Sequence, residues 1–431
     1  MDKIAGVEVV AVTVDTFGVD GAPFDAGGNM LYPVISWQCK RTARVMKNIG
    51  QYISPEKLCQ ITGLQPFPFN TITKLIWLKE NEPQVIEKLH SFLFIPSIFL
   101  YRLSGEMVTD TSMAGTSMLT DLKKRDFSDE VLSAAGLDRS VFPRLVEPGE
   151  VAGQVTAKAS GELGIPAGIP VVATGHDTQF AIFGSGAGEH TPVLSSGTWE
   201  ILMVRTHEAR IDRDMLTAGV TTELDSMPGL YNPGVQWIAS GTLEWIKRMF
   251  YAEEAGKKDV YHTMTGEAGK ISPGSGGIRI NPSFFPGSEG QGNGMISGLT
   301  METTRGEVYR AALEALACRT GYGLSLLQQA GNFKATHLLC VGGGSKNRLW
   351  NQIRADILDI PVRVVKQSET TVLGAAMFAF AGAGIYSGPA EAQHHFTSES
   401  EEFLPRKHKI YKPVIEEYRQ VFKNRQTIDK T

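Results

Sequence analysis

Residues 338–347 read LLCVGGGSKN. A short apolar run meets three glycines, then a serine, a lysine and an asparagine. The apolar run predicts a strand, the glycines a tight turn, and residues 347–358 a helix whose apolar face is Leu349, Trp350, Ile353, Ile357 and Leu358. Residues 362–365 read as the next strand. Strand, helix and strand in so short a span form a βαβ unit with a right-handed crossover, and the fold class is α/β. The turn itself has two readings. Backbone N–H groups at a helix start, with no side chains in the way, suit an anion or a nucleotide. Equally, it is a plain strand-to-helix turn with Ser345 or Asn347 as the helix cap.

Outward from this unit the same alternation continues. Residues 305–331, RGEVYRAALEALACRTGYGLSLLQQAG, predict a long helix closing on Gly331, and residues 371–383, rich in Ala and Gly, a helix able to pack closely. Residues 193–195 and 201–204 predict a β-hairpin around SSGTWE. Residues 171–173 form a strand that runs into His176 and Asp177. The β-branched residues 7–14 predict a buried strand, which needs neighbours on both sides. Residues 54–140 read as largely helical, with Pro83 splitting one helix into two. Residues 147–170, rich in Gly, Ala and Pro, read as the joint between two domains. The division expected is 1–167, 168–388 and a polar tail, helical at its end, over 389–431.

A chain of 431 residues is long enough for two domains. Its net charge of −4 provides no basic footprint, so nucleic acid is not an expected partner. The stretch SFLFIPSIFLYRL is too short to span a membrane and contains Pro96, and the valine-rich start lacks the pattern of a signal peptide. Cys39, Cys59, Cys318 and Cys340 are scattered without C-x-x-C spacing, which fits a reduced, cytoplasmic setting.

Three features could carry chemistry. The first is the glycine turn. It lacks the G-x-G-x-x-G pattern with a following acidic residue, so a nicotinamide dehydrogenase is disfavoured, and GEAGKI is not a phosphate-binding P-loop. The second is the hairpin tip, whose hydroxyls and amides could meet a phosphate, or which is simply a polar turn. The third is Asp177, at the end of a strand where α/β sheets hold ligands. It could take a proton from a hydroxyl, or cap the helix that follows. Around Ser185, GSGAG is not a nucleophile elbow. Together the three suggest phosphoryl transfer without a P-loop.

TGHDTQFAIFG (174–184), VLSSGTWEILMVR (193–205), YNPGVQWIASGTLEW (231–245) and LLCVGGGSKNRLWNQI (338–353) resemble the FGGY family of carbohydrate kinases. GMISGLTMETTRGEVYRAALE (294–314) is similar to its C-terminal signature, and TVDTFGVDGAPFD (13–25), PVISWQCKRTA (33–43), PFNTITKLIWLKENEP (68–83) and VTDTSMAGTSMLTDLKKRDFS (108–128) extend the resemblance over essentially the whole chain. The resemblance implies a two-domain actin-like ATPase (ribonuclease-H-like) fold with the sugar in a cleft between the domains. It implies ATP-dependent phosphorylation of a ketose, with Mg²⁺ accompanying ATP. L-fuculose, phosphorylated on its terminal hydroxyl, is the substrate expected and L-rhamnulose the alternative. By the same carry-over Asp177 is the general base, with His176 beside it. Ser196, Gly197 and Thr198 hold the transferring phosphate, and Gly343, Gly344 and Asn347 line the adenosine site. Trp37 is the aromatic wall of the sugar pocket, and Asp20, Phe69 and Asn70 are further sugar contacts. No metal ligand is assigned, and an assembly of identical subunits is left open. Family members begin with a strand and a D-x-G loop around the β- and γ-phosphates. No such loop precedes Val7, so the first domain is expected to lack its N-terminal strands and catalysis to suffer. A remnant that binds sugar or nucleotide without turnover is the rival expectation.

Overall fold

The structure is a computed structural model and describes residues 6–284, 294–396 and 398–428. In the first half, Pro170–His176 is the middle strand of a small sheet. It pairs in parallel with Val12–Thr16 and antiparallel with Val151–Gln154. Two expectations change here. The strand expected over 7–14 begins only at Val12, lies half-buried, and has one strand neighbour among the described residues. Val7 is exposed, because β-branched residues form a buried strand only where a partner covers them. Residues 147–170, expected as a joint, hold the Val151–Gln154 strand and the Ala157–Leu163 helix, capped by Thr156 and ended by Gly164.

The break at Pro83 is as expected: Thr71–Asn81 and Pro83–Glu87 are separate helices, and Pro83 occupies the start of the second. The greasy stretch at 91–103 is a Ser91–Phe94 strand followed by the Ile95–Ser104 helix with Pro96 in its first turn. That strand pairs with Gly21–Phe24, Gly21 opposite Phe94, and so fixes the loop around Asp20 against the first half's core.

The second half is built on a mixed sheet. Among the described residues its seven strands run in the order Thr221–Leu224, Tyr231–Ile238, Trp199–Met203, Val193–Ser196, Leu338–Val341, Val362–Val365, Ser400–Phe403. Leu338–Val341 lies parallel to both Val193–Ser196 and Val362–Val365, so the expected hairpin and the expected βαβ unit share one sheet. The Arg305–Ala330 helix opens on a capping box, in which Thr304 and Glu307 satisfy each other's backbone N–H. It is buried along most of its length and forms the middle of the larger core.

Residues past 389 belong to that core as well. Ser400–Phe403 is an edge strand whose acidic residues pair with Arg363 and Arg348, a polar composition typical of sheet edges. The His408–Ile428 helix buries Tyr411, Val414, Tyr418 and Phe422 at helical spacing. The Tyr411 hydroxyl accepts from Arg310 at 2.6 Å and meets Glu314 at 3.1 Å.

Candidate functional site

Asp177 follows directly on the Pro170–His176 strand and is the first residue of the Asp177–Gly184 helix. It is therefore not the cap. His176 holds that position, and its side chain makes no capping bond. The helix is pressed onto Thr370–Gly382: a side chain at Gly374 would stand 2.0 Å from the Phe180 carbonyl, and one at Gly184 would stand 1.9 Å from that of Thr370. The Ala- and Gly-rich helix thus packs as closely as its composition predicted, and it holds Asp177 at the junction of the two halves.

On one side of Asp177 lies a cavity of about 310 Å³ between the halves. Trp37, Phe69 and Asn70 come from the first half, and Glu223 and Gln236 from the second. Phe69 meets Trp37 edge-on at 6.3 Å and stacks on Phe67 at 4.9 Å, an apolar wall with polar groups opposite. Asn70 accepts from the Phe67 N–H at 2.7 Å, so its side chain also shapes the loop that carries Phe69. Asp20 does something other than the hydroxyl contact expected. Its carboxylate is buried, forms an ion pair with Lys74, and accepts from the Trp37 N–H at 3.1 Å. Lys74 also donates to the Val19 carbonyl at 2.9 Å. The pair sits behind the wall and anchors Trp37 through its backbone.

His176 lines the same cavity. Its Nδ1 stands 3.0 Å from Glu223 and its Nε2 3.5 Å from Asp177 Oδ1. Burial works against the imidazolium, but the charge and hydrogen bond of Glu223, then Asp177 and Asp110, outweigh it and hold the pKa at about 9. Asp15 faces this group too. Burial first, and then the charge of Asp177, raise its carboxyl to about 6, and its buried Oδ2 has no hydrogen-bond partner. Sequence reasoning passed over Glu223 and Asp15. The one available signal was a charged residue inside an otherwise β-branched strand.

On the other side a cavity of about 690 Å³ gathers Gly197, Thr198, Gly343, Gly344 and Asn347, with Tyr261, Tyr309 and Trp350. The hairpin tip and the glycine turn therefore open into one space. Gly342 makes this approach possible. Its φ is +88°, and a side chain there would come within 2.8 Å of the Ser196 carbonyl. Asn347 caps the helix and also lines the cavity. It accepts from the Trp350 N–H at 3.1 Å as helix cap, and donates to the Tyr309 hydroxyl at 3.2 Å on the cavity wall.

Ser196 does not face this space. Its hydroxyl is buried, donating to Glu200 at 2.9 Å and accepting from Arg354 at 3.0 Å. Side chains alternate along a strand, so it is Ser195 that points the other way. With Asp177, Thr178, Val341 and Thr371, it lines a third cavity of about 190 Å³. Asp177 and Thr178 belong to both this cavity and the sugar-sized one.

Two α/β halves with a carboxylate at a strand end on the wall of the cavity between them are the arrangement expected of a sugar kinase of the actin-like ATPase fold. The chain belongs to the FGGY family of carbohydrate kinases: the family's N-terminal domain matches residues 2–184 and its C-terminal domain residues 193–383. It is 50% identical over 405 residues to L-fuculokinase of Escherichia coli K12, covering 94% of this chain and 84% of that protein. Rhamnulokinase of Enterococcus faecalis is more distant, at 30% over 375 residues, 84% of this chain and 73% of its own length. Among solved structures, xylulose kinase from Rhodospirillum rubrum superposes with a TM-score of 0.88 at 22% identity, over 99% of this chain and 86% of its own. Plasmodium falciparum glycerol kinase with ADP gives 0.86 at 19%, over 99% and 85%. The protein is accordingly an ATP-dependent carbohydrate kinase. Among the described residues no helix is long and apolar enough to cross a membrane.

Proposed function

We propose that the protein transfers the γ-phosphoryl group of ATP to the terminal hydroxyl of L-fuculose, giving L-fuculose 1-phosphate and ADP, in the cytoplasm. The observation that carries the reading is the position of Asp177, on the wall of both the sugar-sized cavity and the small cavity beside the Val193–Ser196 and Leu338–Val341 strands. Asp177 takes the proton of the sugar hydroxyl as its oxygen bonds to the γ-phosphorus. The bond from that phosphorus to the β–γ bridging oxygen breaks, and ADP leaves with the electron pair. Trp37 and Phe69 wall the sugar. Gly197 and Thr198 offer backbone groups to the phosphates, and Gly343, Gly344 and Asn347 border the nucleoside. Ser195 faces the transferring group, while Ser196 holds the hairpin in place.

Mg²⁺ fits as a companion of the nucleotide. Among the described residues no group of three or more His, Cys, Asp or Glu side chains could hold a metal. A hard cation of this kind keeps several waters and is carried mostly by the phosphate oxygens of its nucleotide. When bound, the ion supplies neutralisation of phosphate charge.

The experiment is sugar-dependent ADP release by the purified chain with L-fuculose, L-rhamnulose and other ketoses as acceptors. A preference for L-fuculose that disappears in Asp177→Asn supports the reading. Preference for L-rhamnulose, or nucleotide binding without turnover on any ketose, overturns it.

A further inference from the structure

Asp177 does not present its two oxygens alike. The Thr178 hydroxyl donates to Oδ1 at 3.2 Å, and His176 Nε2 stands 3.5 Å from the same Oδ1. Among the described residues Oδ2 has no such partner. The ring that faces Oδ1 is itself held. Glu223 Oε2 accepts from His176 Nδ1 at 3.0 Å and from the Gln179 amide at 2.7 Å. Gln179 Oε1 in turn accepts from Asn232, which lies opposite Glu223 on the neighbouring strand. Gln179 and Asn232 are fully buried, and the backbone N–H of His176 is tied to the Ser112 hydroxyl at 3.1 Å. The ring therefore has little freedom to turn.

We propose that Glu223 is a positioning residue for phosphoryl transfer: by clamping His176 through Nδ1 it directs Nε2–H at Asp177 Oδ1 and leaves Oδ2 as the oxygen that accepts the sugar's proton. The inference rests on Asp177 being the base. A fixed positive charge 3.5 Å from one carboxylate oxygen, beside the Thr178 hydroxyl on the same oxygen, favours one orientation of the side chain, and that orientation is worth more to the rate than to binding. The clamp needs the imidazolium, since Nδ1 and Nε2 must both carry hydrogen to serve two acceptors. The charged groups that face His176 are Glu223 on the Thr221–Leu224 strand, Asp177 on its own helix, Asp110 at the end of Val108–Asp110 and Asp15 on Val12–Thr16. All four are acidic, and they sustain that charge.

The test is the pH dependence of kcat, with sugar and ATP saturating, for the whole protein and for Glu223→Gln, between roughly pH 6 and 10. The wild type should lose activity as pH rises through about 9, where His176 gives up its proton. In Glu223→Gln the alkaline limb should move down by roughly two pH units, because the neutral amide no longer opposes burial. KM for the sugar should change far less than kcat. Superimposed profiles for the two proteins would overturn the clamp, since a merely structural Glu223 would alter stability and not the limb. Should the variant fail to fold, the imidazole of His176 can be titrated in the wild type by NMR and assigned with His176→Asn. Ionisation in the ordinary range below about 7 would overturn the proposal. Absence of sugar-dependent ADP release from the wild type would sink the kinase reading instead, and the NMR titration would still decide the clamp.

Discussion

Glu200 and Arg354 form an ion pair from which water is wholly excluded, joining the hairpin that follows Ser196 to the helix that follows the glycine turn. Burial pushes the Glu200 carboxyl up, against the pull of Arg354, Ser196 and Trp237. The Arg354 guanidinium also lies 3.7 Å from the centre of the Trp350 ring and donates to Asn351 at 2.9 Å, and Asn351 donates to the Ser345 carbonyl at 2.6 Å. One network thus sets the distance between the two elements that border the larger cavity, proposed for the nucleotide.

Breaking that pair from one side should be severe. Arg354→Met leaves a buried carboxylate without its partner, and urea unfolding should show a loss of about 3–5 kcal/mol. Arg354→Met combined with Glu200→Gln should recover part of it. Affinity for ADP, measured by calorimetry, should fall in both, because the hairpin and the turn lose their common anchor.

Asp177→Asn keeps the shape of the side chain and removes the proposed base. Turnover of the sugar should fall by about 10²–10⁴. ADP should still bind, because Asp177 does not line the cavity proposed for the nucleotide. Loss of nucleotide affinity along with turnover would show that the substitution had disturbed the fold.

Asp20→Ala should act in two ways. It strands Lys74 in the interior, at a cost of about 3–5 kcal/mol in chemical unfolding. It also removes the acceptor of the Trp37 N–H, so KM for the sugar should rise. Trp37→Ala should raise KM as well but leave stability nearly unchanged, because that residue is 46% exposed.

Asp15 makes stability depend on pH. Its folded pKa, about 6, lies above the ordinary 3.8, so the folded state binds the proton more tightly than the unfolded chain. Its contribution is fully present below about pH 3.8 and is lost as pH rises through about 6. Asp15→Asn should therefore gain stability relative to the wild type across that window and keep a constant advantage above it. Unfolding midpoints measured at a series of pH values check this. A difference that does not vary with pH would show that the group is not held protonated.

Much of the second half was legible from local pattern. LLCVGGGSKN, the long helix over 305–331 and the hairpin around SSGTWE are short-range signals, and each stands where the pattern placed it. The final helix was legible in principle, since Tyr411, Val414, Tyr418 and Phe422 repeat at helical spacing, but polar residues between them disguised its attachment to the core. The strand expected over 7–14 was misjudged for a different reason. A run of β-branched residues tells that a strand is favoured, not how many partners it finds.

The candidate site divides along the same line. Sequence by itself determined the family, the α/β class and the identity of Asp177, Trp37 and the glycine turn as residues to examine, because these are carried by motifs a few residues long. Tertiary structure decided that Ser196 faces inward and Ser195 outward, that Asp20 anchors Trp37 from behind, and that Glu223 reaches His176 across 47 positions of chain. A side chain's partners are set by which strands and helices pack together, and no short window of residues records that.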